Sequence, residues 1–142
     1  MDRYEAVVAT ADDGTLEDAG PLVVEFRSAR SRRRAQFSLE EFTGGHLLHL
    51  AVAGCVYNDL IREARARGIT LSQVKVSADG GFAGSPCAST GIEYRIHVEG
   101  DASEAELESL VAYVEEIAEV PSAIRIGGQV RLVACEVVST ES

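Results

Sequence analysis

One long helical stretch constrains the fold more than any other part of the sequence. Residues Gly44 to Ile69 read GGHLLHLAVAGCVYNDLIREARARGI, with Thr43 in front as an N-cap and Gly68 near the end as a C-terminal stop. From Leu47 to Ile61 nearly every face of this helix is apolar, and from Arg62 onward it is charged. Such a helix needs cover on all sides. We therefore expect it to pack against a sheet and against a further surface, which in a chain of this size is a second subunit.

The remaining elements predict a single α+β domain that spans residues 1–142. Three β-rich segments precede the helix and favour an antiparallel meander, and two strands follow it. A helix capped by Ser103, a short helical turn and a final strand complete the order βββ-α-ββ-α-(α)-β. The predicted strands are Tyr4–Thr10, Leu22–Ser28, Arg34–Phe42, Leu71–Phe82, Ser89–Gly100 and Gln129–Ser139.

Charge and cysteine usage exclude several classes of protein. The chain carries a net charge of −10, which argues against binding nucleic acid through a basic face. The N-terminus has no signal-peptide pattern, and the apolar run from Leu47 to Tyr57 is too short to span a membrane, so we expect a cytoplasmic protein. Three cysteines without paired spacing also fit a reducing compartment. The arginine-rich segment from Arg27 to Arg34 is either a solvated edge or an anion-facing patch.

Cys55 lies in the middle of the apolar helix, and its position permits two interpretations. It is either a small core residue or a reactive thiol beside a pocket, where Gly54 lets a ligand approach closely. Burial without a nearby base raises the pKa of a thiol. A carboxylate at Asp59, one turn further on, has the same effect unless Arg62 pairs with it.

The other two cysteines have different predicted environments. Cys135 is expected to be a buried strand residue, whereas Cys87 lies on a loop and is expected to be exposed. Cys87 is a candidate second thiol if this loop folds over Cys55. The sequence contains no zinc-type or paired-cysteine motif, and we expect neither a metal nor a cofactor.

Three segments together resemble the OsmC/Ohr family of organic-hydroperoxide reductases. They are HLLHLAVAGCVYNDLIREARARGI, VKVSADGGF and EEIAEVPSAIRIGGQVRL, and the resemblance runs from about Thr43 to Val137. It implies an OsmC-like fold in which central buried helices lie between antiparallel sheets of an intertwined homodimer, with active sites at the subunit interface. It also implies that a cysteine thiolate reduces the peroxide, and that a second cysteine then closes a disulfide opened by an external dithiol.

The resemblance is incomplete at the site itself. Cys55 falls on the family's reactive cysteine, but the second-cysteine position is occupied by Val120 and the family's glutamate position by Gly45. The loop that carries the family's partner arginine reads ADDGTLEDAG here and contains none. His46 and His49, which share a helix face, and Arg27 and Arg30, which lie in the arginine-rich segment, are the candidate replacements.

Two functions follow from these observations, and the residues alone leave both open. The first is a divergent thiol-dependent hydroperoxide reductase in which Cys55 forms a sulfenic acid and an external thiol or dithiol reduces it. The alternative is a non-catalytic protein that binds a small hydrophobic ligand at the dimer interface or acts as a redox sensor. Both require a homodimer, and neither requires a membrane or nucleic acid.

Overall fold

The computed structural model describes residues 3–11, 20–28 and 32–141. These ranges form six strands and three helices in the order that the sequence predicts. The elements are β1 (Tyr4–Thr10), β2 (Leu22–Arg27), β3 (Arg34–Leu39), α1 (Gly44–Ala66), β4 (Leu71–Ala83), β5 (Ala88–Gly100), α2 (Glu104–Ile117), α3 (Glu119–Arg125) and β6 (Val130–Ser139). The α+β class is therefore confirmed. None of the helices in the described ranges is long and apolar enough to cross a membrane.

The six strands of the described ranges form one sheet in the order β2-β3-β1-β4-β5-β6. All neighbours are antiparallel except β5 and β6, which run parallel and are joined by α2 and α3. The expected N-terminal meander is wrong, because β1 pairs with β3 and β4 instead of β2. The reason is burial: Val7 and Val8 of β1 are 1% and 2% exposed, so both faces of this strand are covered and it takes a central place.

The helix signals in the sequence are confirmed as capping contacts. The Thr43 hydroxyl oxygen accepts a hydrogen bond from the His46 backbone N–H at 3.1 Å, and Ser103 does the same for Glu106 at 3.2 Å. Gly68 has a φ of 70°, the left-handed conformation that ends a helix. These local contacts fix the start of α1 and of α2.

The core lies between the sheet and the helices. On β5 the residues Ile92, Tyr94, Ile96 and Val98 are buried, and the alternate residues Glu93 and Arg95 face solvent. Arg95 pairs there with Asp79 of β4 at 3.5 Å. The predicted alternation of this strand is therefore observed, with the apolar side facing the core.

One expectation about burial differs from the structure. Cys135 is exposed, because β6 is the outermost strand of the sheet and, within the described ranges, has no neighbour on one side. The all-round cover of α1 depends on a second subunit and stays a prediction. Within one chain, Leu47, Ala51 and Asn58 of this helix lie along an uncovered stripe.

Candidate functional site

Cys55 opens into a cleft of ≈ 620 Å³ on the uncovered side of α1. Its side chain is half-buried, so the sulfur is neither enclosed in the core nor fully exposed to solvent. A Cβ added at Gly54, the preceding residue, would meet no other described residue within 4 Å, so this part of the wall is open. The cleft is lined by Leu50, Ala51, Gly54, Cys55, Asn58, Asp59, Arg62 and Val120.

The beginning of α3 forms the opposite wall of this cleft. The backbone of Val120 and that of Glu119 act on the sulfur of Cys55 and lower its pKa. Val120 is the residue that stands at the family's second-cysteine position. The structure thus brings Cys55 and Val120 together, although Val120 offers the sulfur only a backbone group and an apolar side chain.

A carboxylate and a guanidinium lie on the same side of the sulfur. The Cys55 thiol donates to Oδ2 of Asp59 at 4.0 Å, and Nη2 of Arg62 lies 3.2 Å from Oδ1 of Asp59. Nε of Arg62 also contacts the Glu63 carboxylate at 3.1 Å. The spacing i, i+4 and i, i+3 along one helix makes these contacts possible. The pairing of Asp59 with Arg62 that the sequence leaves conditional is present.

The surroundings of Cys55 favour the thiol over the thiolate. Burial raises the pKa of Cys55 above its ordinary value, and the negative charge of Asp59 adds to this, against the effect of the Val120 and Glu119 backbone. Burial also raises the pKa of Asp59, while Arg62 lowers it. At neutral pH the sulfur is therefore mainly protonated and hydrogen-bonded to Asp59.

The two helix histidines lie elsewhere, in an aromatic cluster at the start of α1. The Tyr4 ring is 5.0 Å from that of His46 and 6.3 Å from that of His49, and Phe82 lies 5.3 Å from Tyr4. In the described part of the chain neither histidine lines the Cys55 cleft. His49 donates from Nδ1 to the Gly45 carbonyl oxygen at 2.6 Å, and burial lowers its pKa, so the ring is neutral.

The same cluster explains why no side chain stands at position 45. A Cβ on Gly45 would lie 2.6 Å from the ring of Tyr4, and on Gly80 it would lie 2.6 Å from Nε2 of His49. Tyr4 fills the space into which a glutamate at position 45 would extend. Sequence reasoning missed Tyr4, and its only signal was an aromatic residue at the start of an otherwise aliphatic strand.

The arginine-rich segment does not supply a cation to the cleft within the described ranges. Arg27 lies on β2, at the far edge of the sheet, and its Nη1 donates to the Arg32 carbonyl oxygen at 3.1 Å. Arg30 falls outside the described residues, as does the part of the neighbouring loop from 12 to 19. Cys87 is exposed in the turn between β4 and β5, away from the residues that line the cleft. Among the residues that the structure covers, no group of three or more His, Cys, Asp or Glu side chains is placed to hold a metal.

Comparison with known proteins agrees with the fold described above. The sequence profile of the family described as OsmC-like protein matches residues 38–132, a stretch that includes α1, β4, β5, α2 and α3. No curated protein sequence matches the chain.

Solved structures extend the likeness to almost the whole fold. A hypothetical protein from Aquifex aeolicus superposes with a TM-score of 0.62 at 17% identity, over 89% of this chain and 100% of that one. An OsmC-like protein from Mycoplasma pneumoniae gives 0.59 at 13% identity, over 86% and 99%. An organic hydroperoxide resistance protein from Legionella pneumophila gives 0.53 at 16% identity, over 85% and 99%. At such identities the likeness concerns the fold alone.

Proposed function

The chain belongs to the OsmC-like protein family, and on that premise we propose that it reduces organic hydroperoxides with a single cysteine, Cys55. The observation that carries the proposal is the sulfur itself, which lies at the wall of a ≈ 620 Å³ cleft with apolar side chains around it. A core cysteine would have no such opening. The hydroperoxide-resistance name of the Legionella pneumophila protein of the same fold agrees with this chemistry.

The first step joins sulfur to one peroxide oxygen. The sulfur attacks the terminal oxygen of R–O–O–H, the O–O bond breaks, and R–O leaves as the alcohol after it takes a proton. Cys55 is then a sulfenic acid. Leu50, Ala51 and Val120 line the cleft and offer an apolar surface to the alkyl group R.

The second step needs an external thiol, because Val120 stands where the family has its second cysteine. One thiol condenses with the sulfenic acid to give a mixed disulfide and water. A further thiol, or the second group of a dithiol, then releases Cys55 and leaves as the oxidised disulfide. Such a cycle depends on a reducing compartment, and we therefore propose a cytoplasmic location.

A second copy of the chain is the proposed cover for the cleft. Leu47 is 36% exposed, and Ala51 lies one turn further along the same stripe of α1. An isologous contact would bury the two stripes against each other and narrow both clefts. Size-exclusion chromatography with light scattering is expected to give a dimer, and a Leu47→Lys chain is expected to shift toward monomer. A wild-type monomer at micromolar concentration contradicts the assembly.

The decisive experiment measures peroxide consumption with a small monothiol as reductant. A chain carrying Cys87→Ser and Cys135→Ser is the reference, because it leaves Cys55 as the only thiol. Cumene hydroperoxide is expected to disappear in proportion to enzyme, and adding Cys55→Ser is expected to abolish this. Equal rates for the two chains would exclude the proposed activity.

A non-catalytic role has one specific observation in its favour, namely that burial and Asp59 raise the pKa of Cys55. In that case the cleft binds a small hydrophobic molecule and the thiol is a wall residue. Native mass spectrometry of freshly purified protein distinguishes the two functions. A retained small molecule, together with no Cys55-dependent turnover, supports binding. Turnover without a retained molecule supports catalysis. Oxidation that occurs once and resists small thiols would instead indicate a redox sensor.

A further inference from the structure

Asp59 is an unusual residue to find beside a reactive sulfur. It is only 6% exposed, lies in the middle of α1, and points its carboxylate into the Cys55 cleft. Its two oxygens have different partners, because Oδ1 meets Arg62 at 3.2 Å and Oδ2 accepts from the Cys55 thiol at 4.0 Å. A buried carboxylate needs such partners to stay ionised. The Asp59 carboxylate is therefore placed to accept the proton that the Cys55 thiol must lose.

The charges in the cleft oppose loss of the thiol proton from Cys55. Arg62 is the one cation among the described residues that line the cleft, and it contacts Asp59 and Glu63. Burial raises the pKa of Cys55, and the negative charges of Asp59 and Glu119 raise it further. A thiolate formed before the peroxide arrives is thus disfavoured. The sulfur has to lose its proton during the attack.

We propose that Asp59 is a catalytic residue which accepts the thiol proton of Cys55 and delivers it to the departing oxygen of the peroxide. This role rests on the proposed hydroperoxide reduction. As the S–O bond forms and the O–O bond breaks, the proton moves from sulfur to Oδ2 and from there to the alkoxide, so R–OH leaves and the carboxylate is regenerated. The products are the Cys55 sulfenic acid and one alcohol, and no further oxidant or reductant enters this step.

Arg62 is a positioning residue in this scheme. It holds Oδ1 of Asp59, which leaves Oδ2 directed at the sulfur, and its charge lowers the pKa of Asp59. Burial and the carboxylates of Glu119 and Glu63 act in the opposite direction and raise that pKa. Without Arg62, Asp59 would bind a proton at higher pH, and the acidic range in which it cannot accept the proton of Cys55 would widen.

Two reactions of the same sulfur separate this role from a structural one. Alkylation by iodoacetamide needs only the thiolate, because iodide leaves without a proton. Reaction with cumene hydroperoxide needs a proton on the leaving oxygen. In the chain with Cys87→Ser and Cys135→Ser, Asp59→Asn is expected to slow peroxide oxidation about 100-fold or more. Alkylation is expected to be equal or faster, because removing the negative charge lowers the pKa of Cys55.

The pH dependence of the two reactions in the Cys87→Ser, Cys135→Ser chain tests the same idea without a change at Asp59. Below the thiol pKa, alkylation of Cys55 is expected to rise about tenfold per pH unit. Peroxide oxidation is expected to stay nearly flat between the pKa of Asp59 and that of Cys55, because the thiol and carboxylate together already hold the required proton. Two parallel slopes would overturn the role of Asp59 even if the Asp59→Asn chain does not fold.

Matched variants complete the design. Glu108→Gln removes an exposed carboxylate of α2 that does not line the cleft, and it is expected to leave the peroxide rate within about twofold. Arg62→Gln is expected to move the acid limb of the peroxide profile to higher pH. An Asp59→Asn chain that slows both reactions equally, or retains the peroxide rate, overturns the assignment while the proposed function stands. Absence of any Cys55-dependent peroxide reaction overturns both.

Discussion

Replacing Val120 by cysteine should restore a two-cysteine site. The structure places Val120 beside Cys55, since both residues line the same cleft and the backbone of Val120 lowers the pKa of the Cys55 thiol. Attack by the new thiol on the Cys55 sulfenic acid would close a disulfide within one chain. This bond requires Cα atoms closer than about 7 Å, a distance that direct contact between α1 and α3 makes attainable.

The size of the effect follows from the length of the closed loop. A bond between positions 55 and 120 encloses about 65 residues, for which the loss of chain entropy in the unfolded state corresponds to roughly 4 kcal/mol. With a urea m value of about 2 kcal/mol/M, oxidised Val120→Cys is expected to unfold about 2 M above its reduced form. Strain in the native state would reduce this figure, and the reduced variant loses about 1 kcal/mol from the smaller side chain.

The assay is urea unfolding before and after one equivalent of cumene hydroperoxide, in a chain with Cys87→Ser and Cys135→Ser. Thiol titration is expected to fall from two groups to none in Val120→Cys. The matched control is Ser122→Cys, two residues further along α3 and exposed, which should keep its thiol and show no shift. An unchanged urea midpoint in oxidised Val120→Cys would refute the placement of α3 beside Cys55.

Three further predictions concern the packing around α1. Gly80→Ala should lower the free energy of unfolding by about 2 kcal/mol or more, because its Cβ would lie 2.5 Å from the Gly91 carbonyl oxygen. Gly127→Ala, whose Cβ would meet no described residue within 4 Å, should lower it little in the same thermal melts, and equal losses would contradict the contact. The free energy of unfolding should fall as pH drops below about 6.5, since burial holds the pKa of His49 below its unfolded value and only the unfolded chain then binds the proton. His49→Gln should flatten this slope, and an unchanged slope would contradict the role of His49. Gly54→Ala should stabilise the chain by roughly 0.5–1 kcal/mol through helix propensity and slow Cys55 alkylation by narrowing the cleft, and faster alkylation would exclude this geometry.

Local signals carried most of what the sequence could predict. Caps at Thr43 and Ser103, the left-handed Gly68 and the i, i+3 pairing of Asp59 with Arg62 depend on residues within one helical turn of each other. Such contacts exist whenever the helix exists. The order of the elements was predictable for the same reason, because each helix and each strand shows a hydrophobic period within its own segment.

Contacts between distant segments were not predictable from those periods. Alternation in β1 shows which side chains share a face, but it does not name the neighbouring strands, and the meander was wrong for this reason. Cys135 has the pattern of a buried strand residue, yet its exposure depends on β6 being outermost. The filling of the space at Gly45 by Tyr4 joins residues that no local pattern connects.

The central place of β1 has a consequence for synthesis of the protein. Tyr4 faces Gly80 in the sheet, so one edge of β1 stays unpaired until the ribosome has made and released β4, some seventy residues later. At about 5–20 residues per second, this is a delay of roughly 4–15 seconds. During that time an apolar strand with an open edge is available to other nascent chains, and protection by a chaperone in this interval would raise the yield of folded protein.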